Sequence, residues 1–205
     1  NSSYSFLNLR VKVLNTKRNT CNSLRCIVFH TIFVNPTQFA ANEDLDKYPR
    51  DEDGDVIKLG KAGCQLIYLP ESAEIYPPGF CTTVTLTGPA KAGLEDKFRP
   101  QFFDGVATVV AKLFTQTGAD YAMFGEKDYQ QLKVVMRLAR DLDIPIEVVG
   151  VPTVREEDGL AKSSRNVYLS KQERQQALAI YSSISHAAER IRAGLDVQSA
   201  TTLAT

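Results

Sequence analysis

The sequence carries no net charge: 24 Lys and Arg residues balance 24 Asp and Glu. That balance leaves neither the basic footprint of a nucleic-acid binder nor the polybasic face that seeks an acidic membrane. No apolar run approaches the ~20 residues of a membrane-spanning helix. The four cysteines (Cys21, Cys26, Cys64, Cys81) contain no CxxC pair and no histidine set lies near them, so a zinc site is not expected. Cys26 and Cys64 border strand-like runs and read as buried free thiols, which suits a reducing compartment. The charged segment, apolar segment and cleavage site of a signal peptide are missing from the N-terminus, and cytoplasm is the expected location. Tryptophan is absent, which decides nothing. No glycine precedes Gly54, so residues 1–23 hold no tight glycine turn. Their weak alternation (Phe6, Leu7, Leu9, Val11, Val13, Leu14) suits an edge strand with a loop, or a disordered arm.

What is present is an ordinary globular balance, 43% hydrophobic and 23% charged, over 205 residues. That is enough for one α/β domain with a sizeable core, or a domain with an appendage. Cys26–Val34 is β-branched and aromatic throughout, as a strand buried on both faces should be, and Asn35-Pro36 stops it. Asp51–Ala62 reads as an acidic-started helix with Val56, Ile57 and Leu59 on its apolar side. The strand Gln65–Leu69 follows, completing a βαβ pattern. Thr82–Thr87 alternates Thr with Val and Leu, like a strand at a sheet edge. A long helix is expected from the period Val106, Val109, Val110, Leu113, Phe114, ending at Gly118. Then come a short strand at Tyr121–Phe124, a helix from Asp128 to about Asp143, and a strand at Ile144–Val151. Ser170 with Glu173 has capping-box spacing, and a final helix runs from there to Gly194.

Three polar stretches interrupt this scaffold where α/β sheets bind ligands, beyond the carboxyl ends of strands. Asn35-Pro36-Thr37-Gln38-Phe39 follows the first strand, and its residues either cap the turn or meet a ligand. Phe124-Gly125-Glu126-Lys127-Asp128-Tyr129-Gln130-Gln131 joins a strand to a helix. There Gly125 allows close backbone approach, Lys127 can answer a phosphate, and each glutamine can both donate and accept. The same stretch also reads as a solvated, helix-starting turn. Lys162-Ser163-Ser164-Arg165 sets a lysine, two hydroxyls and a guanidinium side by side. That mixture suits nucleotide phosphates, or simply an exposed basic loop.

The first two stretches and Ser163-Ser164-Arg165-Asn166, with Tyr48-Pro49-Arg50 and Gly150-Val151-Pro152-Thr153-Val154-Arg155, occur in one order and closely resemble the pantoate–β-alanine ligase (pantothenate synthetase) family from about Cys26 to Ile191. The resemblance implies a Rossmann-like nucleotidyltransferase fold with a parallel sheet flanked by helices, here incomplete at both ends, and usually a homodimer. It implies an ATP- and Mg²⁺-dependent enzyme that activates pantoate as pantoyl adenylate and passes the acyl group to β-alanine. Carried over by position, Gln38 and Gln131 match the pantoate-binding glutamines, and Gln38 also lies in the β-alanine site. Gly125, Glu126, Lys127 and Asp128 match the nucleotide loop, with Lys127 near the phosphates and Asp128 near the ribose. Val154 matches a backbone contact to adenine, and Lys162, Ser163, Ser164 and Arg165 match the mobile loop over the triphosphate. Tyr48 and Arg99 have counterparts near the substrates without an assigned role. Membrane and nucleic-acid partners are not implied, and no metal ligand is assigned among the side chains.

The departures are as informative. Residues 1–25 contain no counterpart of the family's His-x-Gly-His segment, so no catalytic residue is assigned. The two histidines, His30 within a strand pattern and His186 on the last helix, do not match that pair. Lys162 stands where the family has an apolar residue, and Asp104 where arginine is frequent. The resulting expectation is an unmatched segment 1–25, a nucleotide- and pantoate-binding domain 26–170, and the start of a further domain at 171–205. Activity is expected to be impaired; the alternative is a non-catalytic nucleotide- or pantoate-binding relative or partner subunit. Loss of the family's first unit is also expected to leave one side of the Cys26–Val34 strand open.

Overall fold

The computed structural model describes residues 7–13, 25–39 and 51–203, with side chains from Ile27 onward. Tyr48 and the polar stretch Glu43–Arg50 lie outside the described residues, as do the side chains of Cys21 and Cys26. The chain divides into two compact units, Ser2–Pro152 and Thr153–Thr205, a division ahead of the expected break after 170.

In the first unit five strands form one sheet among the described residues: β1 (Leu7–Val13), β2 (Arg25–Thr31), β3 (Leu66–Tyr68), β4 (Tyr121–Gly125) and β5 (Glu147–Val151). Their order is β3-β2-β1-β4-β5. The pairs β2–β3 and β4–β5 are parallel, as the βα alternation predicts, while β1 runs antiparallel to both neighbours. This corrects two expectations. The part of residues 1–23 that is described is a central strand rather than an edge, and β2 is paired along both sides rather than open. Alternation of apolar residues signals extended backbone; it carries no information on how many neighbours a strand finds.

The sheet separates two layers. On one face, Phe29, Ala122 and Phe124 meet α4 (Phe102–Thr117) and α5 (Tyr129–Asp141) in the main core, where Phe114 stands edge-on to Phe124 with centroids 6.3 Å apart. α4 is mainly apolar on its inner side, with Thr108 buried among those residues, and stops at Gly118, whose φ of +56° favours glycine. On the other face, Leu59 of α1 (Glu52–Lys61) packs with Ile32 and Ile67. Asp51 caps α1 by accepting from Gly54 N–H at 3.1 Å. Here the sequence expectation fails in detail: Val56 and Ile57 are 40% and 57% exposed, while Asp55 is buried and accepts from Lys58 Nζ at 3.1 Å.

Short helices α2 (Ser72–Ile75) and α3 (Glu95–Phe98) lie in the connection from β3 to α4. Thr82–Thr87, expected as a strand, is irregular. The Val84 N–H donates to the Thr108 hydroxyl at 2.9 Å, so a side chain on α4 takes the place of a neighbouring strand. Cys64 is a half-buried free thiol, and Cys81 is exposed. In the second unit, α6 (Lys171–Arg192) begins at the expected capping box, Ser170 with Glu173, and is followed by α7 (Val197–Thr202). No helix of the described residues is long and apolar enough to cross a membrane.

Candidate substrate and nucleotide site

Because β2 and β4 both run antiparallel to β1, they are parallel to one another and their carboxyl ends leave the same edge of the sheet. Thr31 lies across from Leu7 of β1, and Met123 across from Asn8, so the ends are level. With one strand between them, the two exits are roughly 10 Å apart, two inter-strand spacings. The turn that ends in Gln38 and the turn that leads into the Gln131 helix both start there.

The first turn is a single 3₁₀ turn, Pro36–Gln38, and it is clamped. Asn35 is buried, and its Oδ1 accepts from Thr37 N–H at 3.3 Å, the Thr37 hydroxyl at 2.9 Å and the Tyr76 hydroxyl at 2.8 Å. Its Nδ2 donates to the Gly105 carbonyl at 3.2 Å. Asn35 therefore does the capping work that was one of its two readings. Burial pushes the Tyr76 phenol up, against its hydrogen bonds to Thr37 and Asn35. Gly105 is required by the close approach: a Cβ there would sit 2.7 Å from the Thr37 carbonyl oxygen. Gln38, at the end of the turn, is half-buried, and its carbonyl accepts from Arg99 Nη2 at 2.9 Å. Its side-chain amide makes no hydrogen bond among the described residues.

Beyond β4 the backbone passes through a 3₁₀ turn, Glu126–Asp128, into α5. Gly125 has ordinary extended torsions (φ −69°, ψ 135°), so the turn needs no glycine there; open space lies where a Cβ would be. Glu126 leans over the neighbouring strand, close enough that a Cβ on Gly150 would meet its Oε1 at 3.1 Å. Lys127 Nζ lies 3.3 Å from Asp128 Oδ2, and both side chains are exposed to solvent. An exposed pair of this kind is worth little, ~0–1 kcal/mol, so both heads stay available to a ligand. Asp128 occupies the capping position of α5 without accepting from the helix, which leaves its first N–H groups facing outward. Gln130 and Gln131 separate sharply. Gln130 is fully engaged with the Pro89–Asp96 segment, whereas the half-buried Gln131 amide makes no hydrogen bond among the described residues.

Beside the first turn a cleft of about 890 Å³ is lined by Thr37, Tyr76, Gln101, Asp104, Gly105 and Thr108, among others. Asp104, the residue that departs from the family pattern, thus faces open space next to the clamped turn. His30 does not reach it. By alternation with Phe29 it points to the α1 face of the sheet, opposite Ile67. Burial there, opposed by the Asp55 carboxylate, lowers its imidazole from 6.5 to about 4, so it is neutral at physiological pH.

The remaining candidates belong to the second unit. Val154 is 63% exposed and its carbonyl accepts from Lys162 N–H at 2.9 Å, closing a small hairpin with an Arg155–Ala161 bridge. Lys162 Nζ reaches Glu156 Oε2 at 3.6 Å. Ser163 Oγ accepts from Arg165 N–H at 3.3 Å, Ser164 is buried, and Arg165 is exposed. The segment forms a 3₁₀ turn, Ser164–Tyr168, tied back by Asn166 Nδ2 to the Ala161 carbonyl at 3.0 Å. Arg155 stacks on Tyr181 at 3.8 Å, and His186 is exposed on α6.

Tyr76 and Gly105 were not foreseen from the sequence, and Gln130 was foreseen as a hydrogen-bonding residue but not as a structural one. Tyr76 sits in a Tyr-Pro-Pro-Gly loop with nothing to mark it as a hydrogen-bond partner. The only available signal for Gly105 was a glycine inside a strong helical period. Gln130 and Gln131 are identical side chains whose neighbours alone tell them apart. Among the described residues no group of His, Cys, Asp and Glu is arranged to hold a metal ion.

A family profile described as Pantoate-beta-alanine ligase matches residues 13–204. Relatives include the pantothenate synthetase of Rhodopseudomonas palustris strain BisA53, 56% identical over 167 residues, which are 82% of this chain and 59% of that protein. The pantothenate synthetase of Caulobacter vibrioides is 56% identical over 84% of this chain and 60% of its own length. Among solved structures, pantothenate synthetase from Thermus thermophilus superposes with a TM-score of 0.84 at 50% identity, over 87% of this chain and 64% of that one. The Francisella tularensis pantoate-beta-alanine ligase, complexed with "Beta-gamma ATP" and β-alanine, gives 0.71 at 35% identity, over 76% of this chain and 60% of that one. This chain thus spans about 60% of the length of such curated relatives.

Proposed function

The chain belongs to the pantoate–β-alanine ligase family, and from that premise we propose that it serves the ATP-dependent condensation of pantoate with β-alanine. The reaction has two steps. A pantoate carboxylate oxygen attacks the α-phosphorus of ATP and pyrophosphate leaves. The β-alanine amine then attacks the acyl carbon of the adenylate, AMP leaves, and the new amide nitrogen loses a proton. Such chemistry needs the carboxylate held in line with the α-phosphate, and the charge on the departing group answered.

The observation that carries this reading is the pair of unengaged amides. Gln38 ends the turn after β2 and Gln131 lies in the first turn of α5 after β4, each half-buried and each with a side-chain amide that has no partner among the described residues. Their N–H groups suit the carboxylate and hydroxyl oxygens of a small hydroxy acid, and Gln38 also serves β-alanine. Lys127 and the open N–H groups of α5 meet the phosphates, Asp128 the ribose, and Gly125 and Glu126 line the nucleotide loop. Val154 meets adenine through its backbone, and Lys162, Ser163, Ser164 and Arg165 serve the triphosphate. Mg²⁺ generally keeps its waters and binds through one or two carboxylates plus substrate phosphates. With no side-chain cluster for a metal among the described residues, the ion would be held chiefly by the substrate phosphates and its waters, and it would neutralise phosphate charge. We assign the protein to the cytoplasm, as its sequence suggests, and to a homodimer, as the resemblance implies.

The test is AMP formation from ATP, Mg²⁺, pantoate and β-alanine, with single-substrate omissions and Lys127→Ala in parallel. The proposal expects AMP that requires both acids and falls in the variant; AMP released without pantoate would overturn it. A second reading is favoured by the histidines: His30 is buried and neutral on the far face of the sheet, and His186 belongs to the second unit. A chain that binds ATP and pantoate by calorimetry but forms no AMP would be a binding relative, or a partner subunit.

A further inference from the structure

Gln130 spends its whole amide on the segment that precedes α4. Its Oε1 accepts from Glu95 N–H at 2.9 Å, and its Nε2 donates to Asp96 Oδ1 at 2.8 Å and to the Pro89 carbonyl at 2.9 Å. Asp96 in turn accepts from the Gly93 and Leu94 N–H groups at 3.1 and 3.0 Å, which closes the turn around its carboxylate. These bonds, Gln130 foremost, hold the Asp96 carboxyl below its usual range. One helical turn later, Glu95 Oε1 accepts from Arg99 Nη1 at 2.9 Å, and the guanidinium lies flat over Phe102 with 4.0 Å to the ring centroid. The second arm of the same guanidinium, Nη2, donates to the Gln38 carbonyl at 2.9 Å.

A continuous path of hydrogen bonds therefore runs from the residue next to Gln131, through Glu95 and Arg99, to the backbone of Gln38. We propose that Gln130, α3 and Arg99 form a bracket that fixes the spacing of the two glutamines, and so sets the site for a hydroxy-acid carboxylate. The role rests on the pantoate-binding reading of Gln38 and Gln131 and deepens it. Gln130 and Arg99 are positioning residues, since they act on the backbone of the binding residues rather than on a substrate. The arrangement has a physical logic. Gln38 ends the turn after β2 and Gln131 lies in the first turn of α5, on segments that follow strands separated by β1, so sheet pairing alone does not set the position of the Gln38 turn relative to α5. Two amides that share one small ligand lose most of their joint effect when either is misplaced by ~1 Å. Arg99 suits the task because its planar fork spans two acceptors at a fixed angle, and stacking on Phe102 holds its plane.

The consequence is action at a distance: a change at Gln130 should loosen the turn at Gln38. The Gln38 and Phe39 amides donate to the Asn35 and Pro36 carbonyls at 3.2 Å each and report on that turn by hydrogen exchange. In Gln130→Ala, exchange at these two amides should rise about tenfold while amides in the middle of α4 keep their protection. Pantoate binding by calorimetry should weaken about tenfold, the equivalent of one well-placed hydrogen bond, with ATP affinity within about twofold of the parent chain. Should Gln130→Ala not fold, Arg99→Lys keeps the charge, loses the fork and gives the same two readouts. Unchanged exchange at Gln38 and Phe39 in a folded variant would overturn the bracket. A parent chain that fails to bind pantoate would instead overturn the functional reading, and exchange would still decide the bracket.

Discussion

The turn after β2 and the turn after β4 leave the same sheet edge and are built in opposite ways. Around Asn35–Gln38 the backbone is gripped from both sides: Asn35 alone joins Thr37, Tyr76 and Gly105, and Arg99 holds the Gln38 carbonyl. Around Gly125–Asp128 the side chains face solvent, the helix cap is vacant, and the Lys127–Asp128 pair is exposed. The contrast matches what each would hold. A small rigid acid needs donors fixed before it arrives, because ordering them on binding would cost affinity. A flexible, multiply charged triphosphate is met by mobile charge and outward N–H groups, which a metal ion can supplement.

The comparison can be broken at several places, and the clamped turn should give the largest response. Asn35→Ala removes the acceptor shared by the Thr37 N–H and the Thr37 and Tyr76 hydroxyls, and the buried donor to the Gly105 carbonyl. Urea unfolding should report a loss of ~2–4 kcal/mol, several buried hydrogen bonds at about 1 kcal/mol each plus the orphaned groups. A loss under ~0.5 kcal/mol would mean the clamp is ornamental.

Acid should act next, through the strand that carries this turn. The His30 imidazole has its pKa lowered from 6.5 to about 4 by burial. The unfolded chain therefore takes up a proton as pH falls past 6.5, while the fold resists until about 4. Stability is complete above 6.5 and declines between those values, by at most ~3 kcal/mol from this group. In His30→Leu that part of the pH dependence should vanish from a series of denaturation curves; an unaltered slope would contradict the assignment.

Gly105→Ala comes third. A methyl group 2.7 Å from the Thr37 carbonyl forces α4 and the turn apart. The cost should be ~1–2 kcal/mol, since the gain in helix propensity offsets part of the overpacking. Lys127→Ala on the open turn should be the smallest in stability, within ~0.5 kcal/mol. Its effect belongs in ligand binding, as a fall in ATP affinity with pantoate affinity preserved. A destabilisation as large as that of Asn35→Ala would erase the distinction between the two turns.

Much of this scaffold is legible in the sequence. The β-branched run before Asn35-Pro36, the acidic start of α1, the period of α4 with its glycine stop and the Ser170–Glu173 box each encode their element locally. What was not legible depends on partners remote in the chain. The central place of β1 follows from backbone pairing with β2 and β4, which apolar alternation does not specify. Thr82–Thr87 alternates like a strand, but the Thr108 hydroxyl supplies the hydrogen bond that a neighbouring strand would have given. The apolar side assigned to α1 contained Val56 and Ile57, while the helix turns Asp55 inward, where Lys58 and His30 surround it. At the site the same rule holds. The motifs located both turns, yet only tertiary contacts show that Asn35 and Gln130 are consumed by structure while Gln38 and Gln131 remain open.

Those two open amides carry the functional assignment. The direct test is calorimetric titration of pantoate into the chain and into the Gln38→Ala/Gln131→Ala double variant, with circular dichroism to verify that both are folded. Pantoate should bind the parent chain and lose at least ~10²-fold in affinity in the double variant, the sum of two lost hydrogen bonds at about a factor of ten each. Equal affinity in the two proteins, or no binding by the parent chain, would contradict the assignment.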